Sequence, residues 1–228
     1  MTRVLSTEAL RNTKRTMRLR ITFRKEGWLI YSSHLDLMRL WERALRRAAA
    51  PLAYSGGFNP RPKLQLARAL PLGHVGEEEL IDVWLEEPVS LEQFTKSLVP
   101  VLPDGLCVKR VQEVDSRGPA MQTRVVATEY RVIVDWEGSA EAAQDRVERV
   151  LAAEKLPHER RGKRYDLRPL IEDLQLEDVS EGKAVFAMRL SARPGATGRP
   201  EAVLDVLGLG DAFARYRRSR IVLKEKGA

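Results

Sequence analysis

The order of secondary-structure patterns along the chain is the feature that most limits its fold. Apolar periodicity indicates strand, helix, strand, strand, helix and strand over residues 17–114, and the same order recurs over residues 128–224. Equivalent patterns begin about 104 to 110 residues apart, although the repeat lies in element order and not in residue identity. This order is typical of the split βαβ, ferredoxin-like arrangement. The sequence therefore predicts an α+β fold of two tandem ferredoxin-like modules, each an antiparallel sheet with helices on one face.

The same patterns define the expected boundaries. We expect a flexible tail over residues 1–16, a linker over 115–127 around Gly118 and Pro119, and a short tail over 225–228. Predicted strands cover 18–25, 63–70, 80–85, 105–114, 128–136, 164–168, 183–192 and 215–223. Predicted helices cover 34–49, 91–98, 139–154 and 199–207.

Charge and cysteine content narrow the possible functions. The chain carries 39 Lys and Arg, of which 29 are Arg, against 32 Asp and Glu, for a net charge of +7. Arginine grips phosphate oxygens and stacks on bases, so this excess suits a nucleic-acid partner, although a GC-rich genome produces the same bias. Cys107 is the single cysteine, which excludes a disulfide framework, a cysteine zinc site and a chain-supplied iron–sulfur cluster. We expect its thiol to be buried and inert in a strand.

No apolar run approaches the length of a membrane span, and the first 20 residues lack the apolar core of a signal peptide. These features favour a cytoplasmic location, with no membrane contact. Nothing in the sequence indicates a cofactor, a metal site or an oligomeric state.

The first predicted helix carries the densest basic region. Ser33 is a candidate N-cap, and Asp36 stands where an acidic residue completes a capping box. No acidic residue occurs between Glu42 and Glu77, whereas six basic residues do. Apolar positions at helical spacing form the predicted buried stripe, which consists of Leu37, Met38, Trp41, Ala44, Leu45 and Ala48. The arginines then share the opposite face, which either contacts nucleic acid or is simply solvated.

Basic and aromatic side chains close to this helix are the ingredients of single-strand RNA recognition. The candidate RNA-binding residues here are Arg39, Arg43, Arg46, Arg47, Tyr54, Phe58, Arg61 and Lys63. A second basic stretch reads as the tip of a β-hairpin, and its candidates are Arg160, Arg161, Lys163 and Arg168. A solvated turn is the alternative for this stretch.

Other charged groups have simpler interpretations. Glu77, Glu78 and Glu79 read as a solvated acidic cluster, and the arginines from 215 to 220 suit an exposed edge strand as well as they suit binding. His34, at the start of the first helix, is a candidate general acid or base with Asp36 as its neighbour, a candidate RNA contact, or a structural residue.

The segments 31–39, 43–47 and 51–63, which read YSSHLDLMR, RALRR and PLAYSGGFNPRPK, resemble the radical-SAM-linked protein family of bacteria. The similarity continues more loosely through residues 69–73, 103–105, 162–163 and 166–169. The resemblance implies a radical SAM protein as a partner, because relatives are fused to, or encoded beside, one of the cobalamin-binding type. Their further neighbours imply RNA processing, RNA modification or ribosome biogenesis. With one cysteine, this chain cannot itself hold a radical SAM cluster.

Three functions are therefore open. The first is an RNA-binding accessory protein that positions ribosomal or transfer RNA for a radical SAM or RNA-processing partner. The second is a metal-independent endoribonuclease, because a tandem ferredoxin-like chain with a histidine on its first helix is similar to the CRISPR repeat-processing enzymes. The third is a protein–protein adaptor without RNA affinity.

Overall fold

A computed structural model describes residues 16–224. The first half of these residues forms what we call the N-terminal unit. It contains, in chain order, β1 (Met17–Lys25), α1 (His34–Arg47), β2 (Leu64–Leu66), β3 (Val75–Leu85), α2 (Leu91–Leu98) and β4 (Leu106–Val114). Its strands lie in the order β4-β1-β3-β2, and neighbouring strands are antiparallel.

The second half forms the C-terminal unit. It contains β5 (Val125–Asp135), α3 (Ala140–Ala152), β6 (Pro157–Arg160), β7 (Lys163–Asp166), β8 (Ile171–Ser180), β9 (Lys183–Arg193), β10 (Ala196–Thr197), α4 (Pro200–Val206) and β11 (Ala214–Leu223). The order β11-β5-β9-β8 repeats that of the N-terminal unit, again with antiparallel neighbours. The predicted fold class is confirmed, since each unit has the ferredoxin-like strand order.

Each unit buries a core between its sheet and its two helices. In the N-terminal unit, Leu19, Ile21 and Phe23 alternate along β1 and pack against Trp41 of α1, whose ring meets Phe23 edge-on at 4.9 Å between centroids. The C-terminal core is built on the same plan, with Val132 and Val134 of β5 facing the two helices.

The predicted strand at 164–168 is confirmed for residues 164–166, which belong to β7, but its expected place in the main sheet is wrong because β7 pairs with β6 in a separate two-stranded hairpin, β6–β7. The strand that takes its place is β8, which the sequence did not reveal. Acidic residues occupy β8, and β-bulges shift its register between Ile171 and Asp173 and between Leu176 and Asp178. Each bulge breaks the two-residue alternation by which a half-buried strand is detected.

The two units share one nine-stranded sheet. Short β2 covers only residues 81–83 of β3, which leaves Val75 and Gly76 to pair in parallel with Arg217 and Arg218 of β11. The last strand is therefore enclosed between β5 and β3, and its predicted edge position is wrong.

Buried charges hold this junction together. The Arg218 guanidinium is 1% exposed and donates from Nε to Glu79 Oε1 at 2.8 Å and from Nη1 to the Ala69 carbonyl at 3.0 Å. Glu79 is itself 2% exposed, which corrects the interpretation of residues 77–79 as a solvated cluster. Buried ions need such partners because leaving water is costly.

None of the helices within residues 16–224 is long and apolar enough to cross a membrane.

Candidate nucleic-acid interface

Local sequence explains why α1 presents its arginines to solvent. Ser33 caps the helix, accepting a hydrogen bond from the Asp36 backbone N–H at 3.2 Å, and the Asp36 carboxylate accepts from the Ser33 backbone N–H at 3.3 Å. This is the predicted capping box. Leu37, Trp41, Ala44 and Leu45 are buried against the sheet. Arg39, Arg43, Arg46 and Arg47 are consequently exposed on the other side of the helix.

Three of these arginines line one groove. Arg39, Arg43 and Arg47 follow one another at four-residue steps and border a groove of about 320 Å³ between α1 and the segment that follows α2. Val101 and Pro103 line it from that segment, and Trp28 and the acidic residue Asp36 also belong to its lining. The groove therefore combines guanidinium groups with an aromatic side chain.

The arginines of α1 differ in how far their charge is compensated. Arg46 bonds to Glu42 at 2.6 Å, and Arg39 lies 3.6 Å from Asp36 in an exposed pair of little energetic value. The side chains of Arg43 and Arg47 make no hydrogen bond or salt bridge within residues 16–224. Two uncompensated cations thus sit on the wall of an open groove.

Trp28 is the groove residue that the sequence did not bring forward as a candidate. Its side chain is 63% exposed, in a short 3-10 turn, Gly27–Tyr31, between β1 and α1. The available signal was a large aromatic residue directly after a glycine at the end of a strand. An exposed tryptophan next to free arginines is a platform on which a base can stack.

His34 and Asp36 do not form an acid–base pair. Asp36 also accepts a hydrogen bond from the Ser33 hydroxyl at 2.7 Å, and its bonds with Ser33 lower the pKa of its carboxyl group. His34 is the first residue of α1, half-buried, and its imidazole makes no hydrogen bond to any residue in the range 16–224. Asp36 therefore has a clear structural role, while the imidazole lacks a second group to act with.

The loop after α1 stands apart from the groove. Tyr54 and Phe58 are both exposed, the latter completely, and Arg61 and Lys63 are exposed on the returning strand of the loop. The loop closes on itself, since the Ser55 N–H donates to the Arg61 carbonyl at 2.8 Å. None of these four predicted RNA-binding residues lines the groove.

The second basic stretch forms a hairpin tip, as the sequence predicted. Arg160, Arg161 and Lys163 are exposed there. Arg168 lies beyond the hairpin, and its guanidinium donates to the carbonyls of Leu151 at 3.0 Å and Ile171 at 3.2 Å. Arg168 thus fixes the end of α3, and we leave it out of the binding surface.

The position of Cys107 corrects one expectation. Cys107 is exposed on β4, so the expectation of a buried thiol is wrong. Within the described range, no three His, Cys, Asp or Glu side chains are grouped so that they could hold a metal ion.

Two ferredoxin-like units joined in one sheet define the structural class of this protein. Three solved structures have a similar fold over 91% of this chain. The "Cbf5-Nop10-Gar1 Complex" has a TM-score of 0.52 at 10% identity, the "archaeal box H/ACA sRNP Nop10-Cbf5 complex" 0.49 at 12%, and the "H/ACA RNP bound to a substrate RNA containing 2'-deoxyuridine" 0.48 at 11%. The chain spans about half of each matching chain, 50%, 49% and 49% respectively. At these identities the likeness concerns the fold alone.

Sequence comparison gives the family. The profile of the bacterial family described as "Uncharacterized protein conserved in bacteria (DUF2344)" matches residues 18–200, and the chain belongs to that family. No curated protein matches the chain.

Proposed function

We propose that this protein binds single-stranded RNA in the α1 groove and positions it for a partner enzyme in the cytoplasm. The observation that carries the proposal is the placement of Arg43 and Arg47, uncompensated, beside exposed Trp28. Guanidinium groups bind the phosphates, and the indole stacks on a base. The resemblance of residues 31–63 to the radical-SAM-linked family is the basis for proposing a radical SAM protein as the partner, with a role in RNA modification or ribosome biogenesis.

The test is equilibrium binding of a fluorescent single-stranded RNA of 12 nucleotides to the wild type and to Arg43→Gln/Arg47→Gln. Both side chains are exposed and unpaired, so the variant should keep the wild-type melting temperature. The control is Arg46→Gln, which removes one positive charge from the same helix but outside the groove, and each single variant, Arg43→Gln and Arg47→Gln, is compared with it at equal charge. We expect the double variant to weaken binding at least tenfold and the control to weaken it much less.

Salt dependence and Trp28 provide independent readouts. If the three groove arginines each contact a phosphate, raising salt from 50 to 200 mM should weaken binding roughly 20-fold. Replacing Trp28 with Ala should cost roughly 5-fold to 100-fold in affinity if one base stacks on it. RNA binding that ignores salt, or a double variant that binds like the wild type, would contradict the proposal. A wild type without RNA affinity that still captures the partner enzyme would make the protein an adaptor.

A further inference from the structure

A second basic groove lies in the C-terminal unit, away from α1. It has a volume of about 610 Å³, within the usual range for a small-molecule site, and is enclosed by the β6–β7 hairpin and the turn between β9 and β10. Five of its eleven lining residues are basic and come from the hairpin and from the position before α4, namely Arg160, Arg161, Lys163, Arg164 and Arg199. Arg199 comes from a separate part of the chain and did not stand out in the sequence.

Most of this positive charge is uncompensated. Arg164 pairs with Glu159 at 3.1 Å, but the other four basic residues make no salt bridge within residues 16–224. Asp166 is the acidic residue in the lining, and its Oδ1 accepts from the backbone N–H groups of Leu156 at 2.8 Å and Arg168 at 3.0 Å. Glu201, two residues after Arg199, is hydrogen-bonded to His74 at 3.2 Å, and although burial opposes the change, this bond and the nearby charge of Arg199 lower the pKa of its carboxyl group.

The hairpin geometry brings two of these cations together. Arg161 and Gly162 form a two-residue turn with φ values of 51° and 75°, as in the tight turns that match the twist of a β-ribbon. Arg160 and Lys163 are consequently paired directly across the ribbon. Like charges in such a pair repel each other, and an anion bound between them would convert the repulsion into attraction.

Tyr165 adds a neutral donor to the groove. Its ring is half-buried and packs edge-on against His158, with 5.4 Å between centroids. Burial raises the pKa of the Tyr165 phenol, although Arg160 and Arg199 are close enough to oppose that change. The hydroxyl is therefore protonated at neutral pH and can donate a hydrogen bond to an anion that the arginines attract.

We propose that this groove binds the terminal phosphate of a nucleotide, either free or at the end of an RNA chain. A terminal phosphate carries close to two negative charges and exposes three acceptor oxygens, whereas an internal phosphodiester carries one charge. Arginines from two segments of the chain, with a tyrosine in the same groove lining, suit the terminal group. The proposal does not depend on the α1 groove, which lies in the other unit.

The first arm of the test measures AMP and adenosine binding to the full chain by titration calorimetry. We expect AMP to bind, adenosine to bind at least tenfold more weakly, and Arg160→Gln/Arg199→Gln to weaken AMP at least tenfold. Arg215→Gln, an exposed charge elsewhere in the same unit, should leave AMP affinity unchanged. Because Arg199 is half-buried, Arg161→Gln/Lys163→Gln, at two fully exposed positions, serves as a second variant and should also weaken AMP severalfold.

The second arm compares one short RNA with a 5′-phosphate or a 5′-hydroxyl. Tighter binding of the phosphorylated form that disappears in the groove variants identifies an RNA end as the ligand. AMP binding without such a preference identifies a free nucleotide. The inference is overturned if binding in neither arm depends on the phosphate, or if both groove variants bind like the wild type. The Arg43→Gln/Arg47→Gln variant separates the two proposals, since it should reduce RNA binding while leaving AMP binding intact.

Discussion

At the scale of single residues, the basic excess divides into charges that hold the fold and charges that remain free. Arg68 lies in the segment between Glu42 and Glu77 that contains no acidic residue. Its guanidinium nevertheless donates to the Ala192 carbonyl and to Thr197 Oγ1, both at 2.9 Å, and so ties the two units together. Arg20 donates to Asp82 Oδ1 at 2.8 Å in a second buried cluster. Net charge alone could not separate these arginines from Arg43 and Arg47, since the distinction depends on partners far away in sequence.

The Arg218–Glu79 pair should be essential for stability. Glu79→Gln leaves a fully buried guanidinium without its counter-charge, and breaking a buried pair from one side costs roughly 3 to 5 kcal/mol. Urea unfolding followed by circular dichroism should show this loss. Glu78→Gln, the same change at the adjacent position without a buried partner, is the control and should cost well under 1 kcal/mol. Equal losses in the two variants would mean that the pair has no special role.

Tyr216 should make the fold sensitive to alkaline pH. Burial raises the pKa of Tyr216 to about 12, and its ring stacks on His74 at 4.6 Å. In the unfolded chain this pKa is about 10, so the phenol is neutral in both states below pH 10. Between about pH 10 and 12 the unfolded chain ionises more readily, which favours unfolding. The stability contributed by this group is thus present below pH 10 and lost as pH rises through the folded pKa.

The measurement is the fall in melting temperature between pH 9 and pH 11.5. Tyr216→Phe removes the ionisable group, so its fall should be smaller than that of the wild type. Tyr31→Phe makes the same change at an exposed tyrosine and should leave the fall as it is in the wild type. If the melting temperature of Tyr216→Phe falls as much as that of the wild type, other groups cause the loss of stability at alkaline pH.

At the scale of elements, α1 is the part of the molecule on which the proposed RNA site depends. Its capping box holds the first turn, next to Trp28 and the groove. Ser33→Ala removes both hydrogen bonds of the Ser33 hydroxyl and should destabilise the protein by about 1 kcal/mol. The midpoint of urea unfolding measures this, with Ser97→Ala on the exposed face of α2 as the control. If the two midpoints agree, the cap does not stabilise α1.

The helices were more predictable from sequence than several of the strands. The observed end of α1 lies only two residues before the predicted end. This helix was predictable because its apolar period, its N-cap and the following Pro51 are all signals in the local sequence. In contrast, β8 was missed because its bulges shift the alternation, and the second neighbour of β11 was missed because β3 lies in the other unit, far away in the chain. The groove was found only in part, since Trp28 and the Val101–Pro103 wall meet the arginines through tertiary packing.

At the scale of the whole molecule, the two units behave as halves of one sheet because several kinds of contact cross the junction. They include the parallel pairing of β3 with β11, the buried pair of Arg218 with Glu79, the hydrogen bonds of Arg68, and a small apolar cluster. That cluster contains Ala67 and Leu80 from the N-terminal unit and Met121, Val125, Ala192 and Ile221 from the linker and the C-terminal unit. The two proposed binding grooves are therefore held in a fixed relation to each other.

This arrangement predicts that both units unfold in a single transition. In the full chain labelled with 5-fluorotryptophan, the 19F NMR signals of Trp41 in the N-terminal core and Trp136 beside the C-terminal core would report on the two units separately, with neither side chain removed. We expect their urea transitions to coincide. Met121→Ala opens a cavity in the shared cluster, where Met121 is fully buried, and should destabilise the protein by about 2 to 5 kcal/mol. Both reporters should register that loss, whereas Leu35→Ala, at an exposed position of α1, should leave both midpoints nearly unchanged. If the transitions of the two tryptophans differ in the protein without the Met121→Ala change, the units fold independently. The relation between the two grooves would then be set by their ligands and not by the sheet.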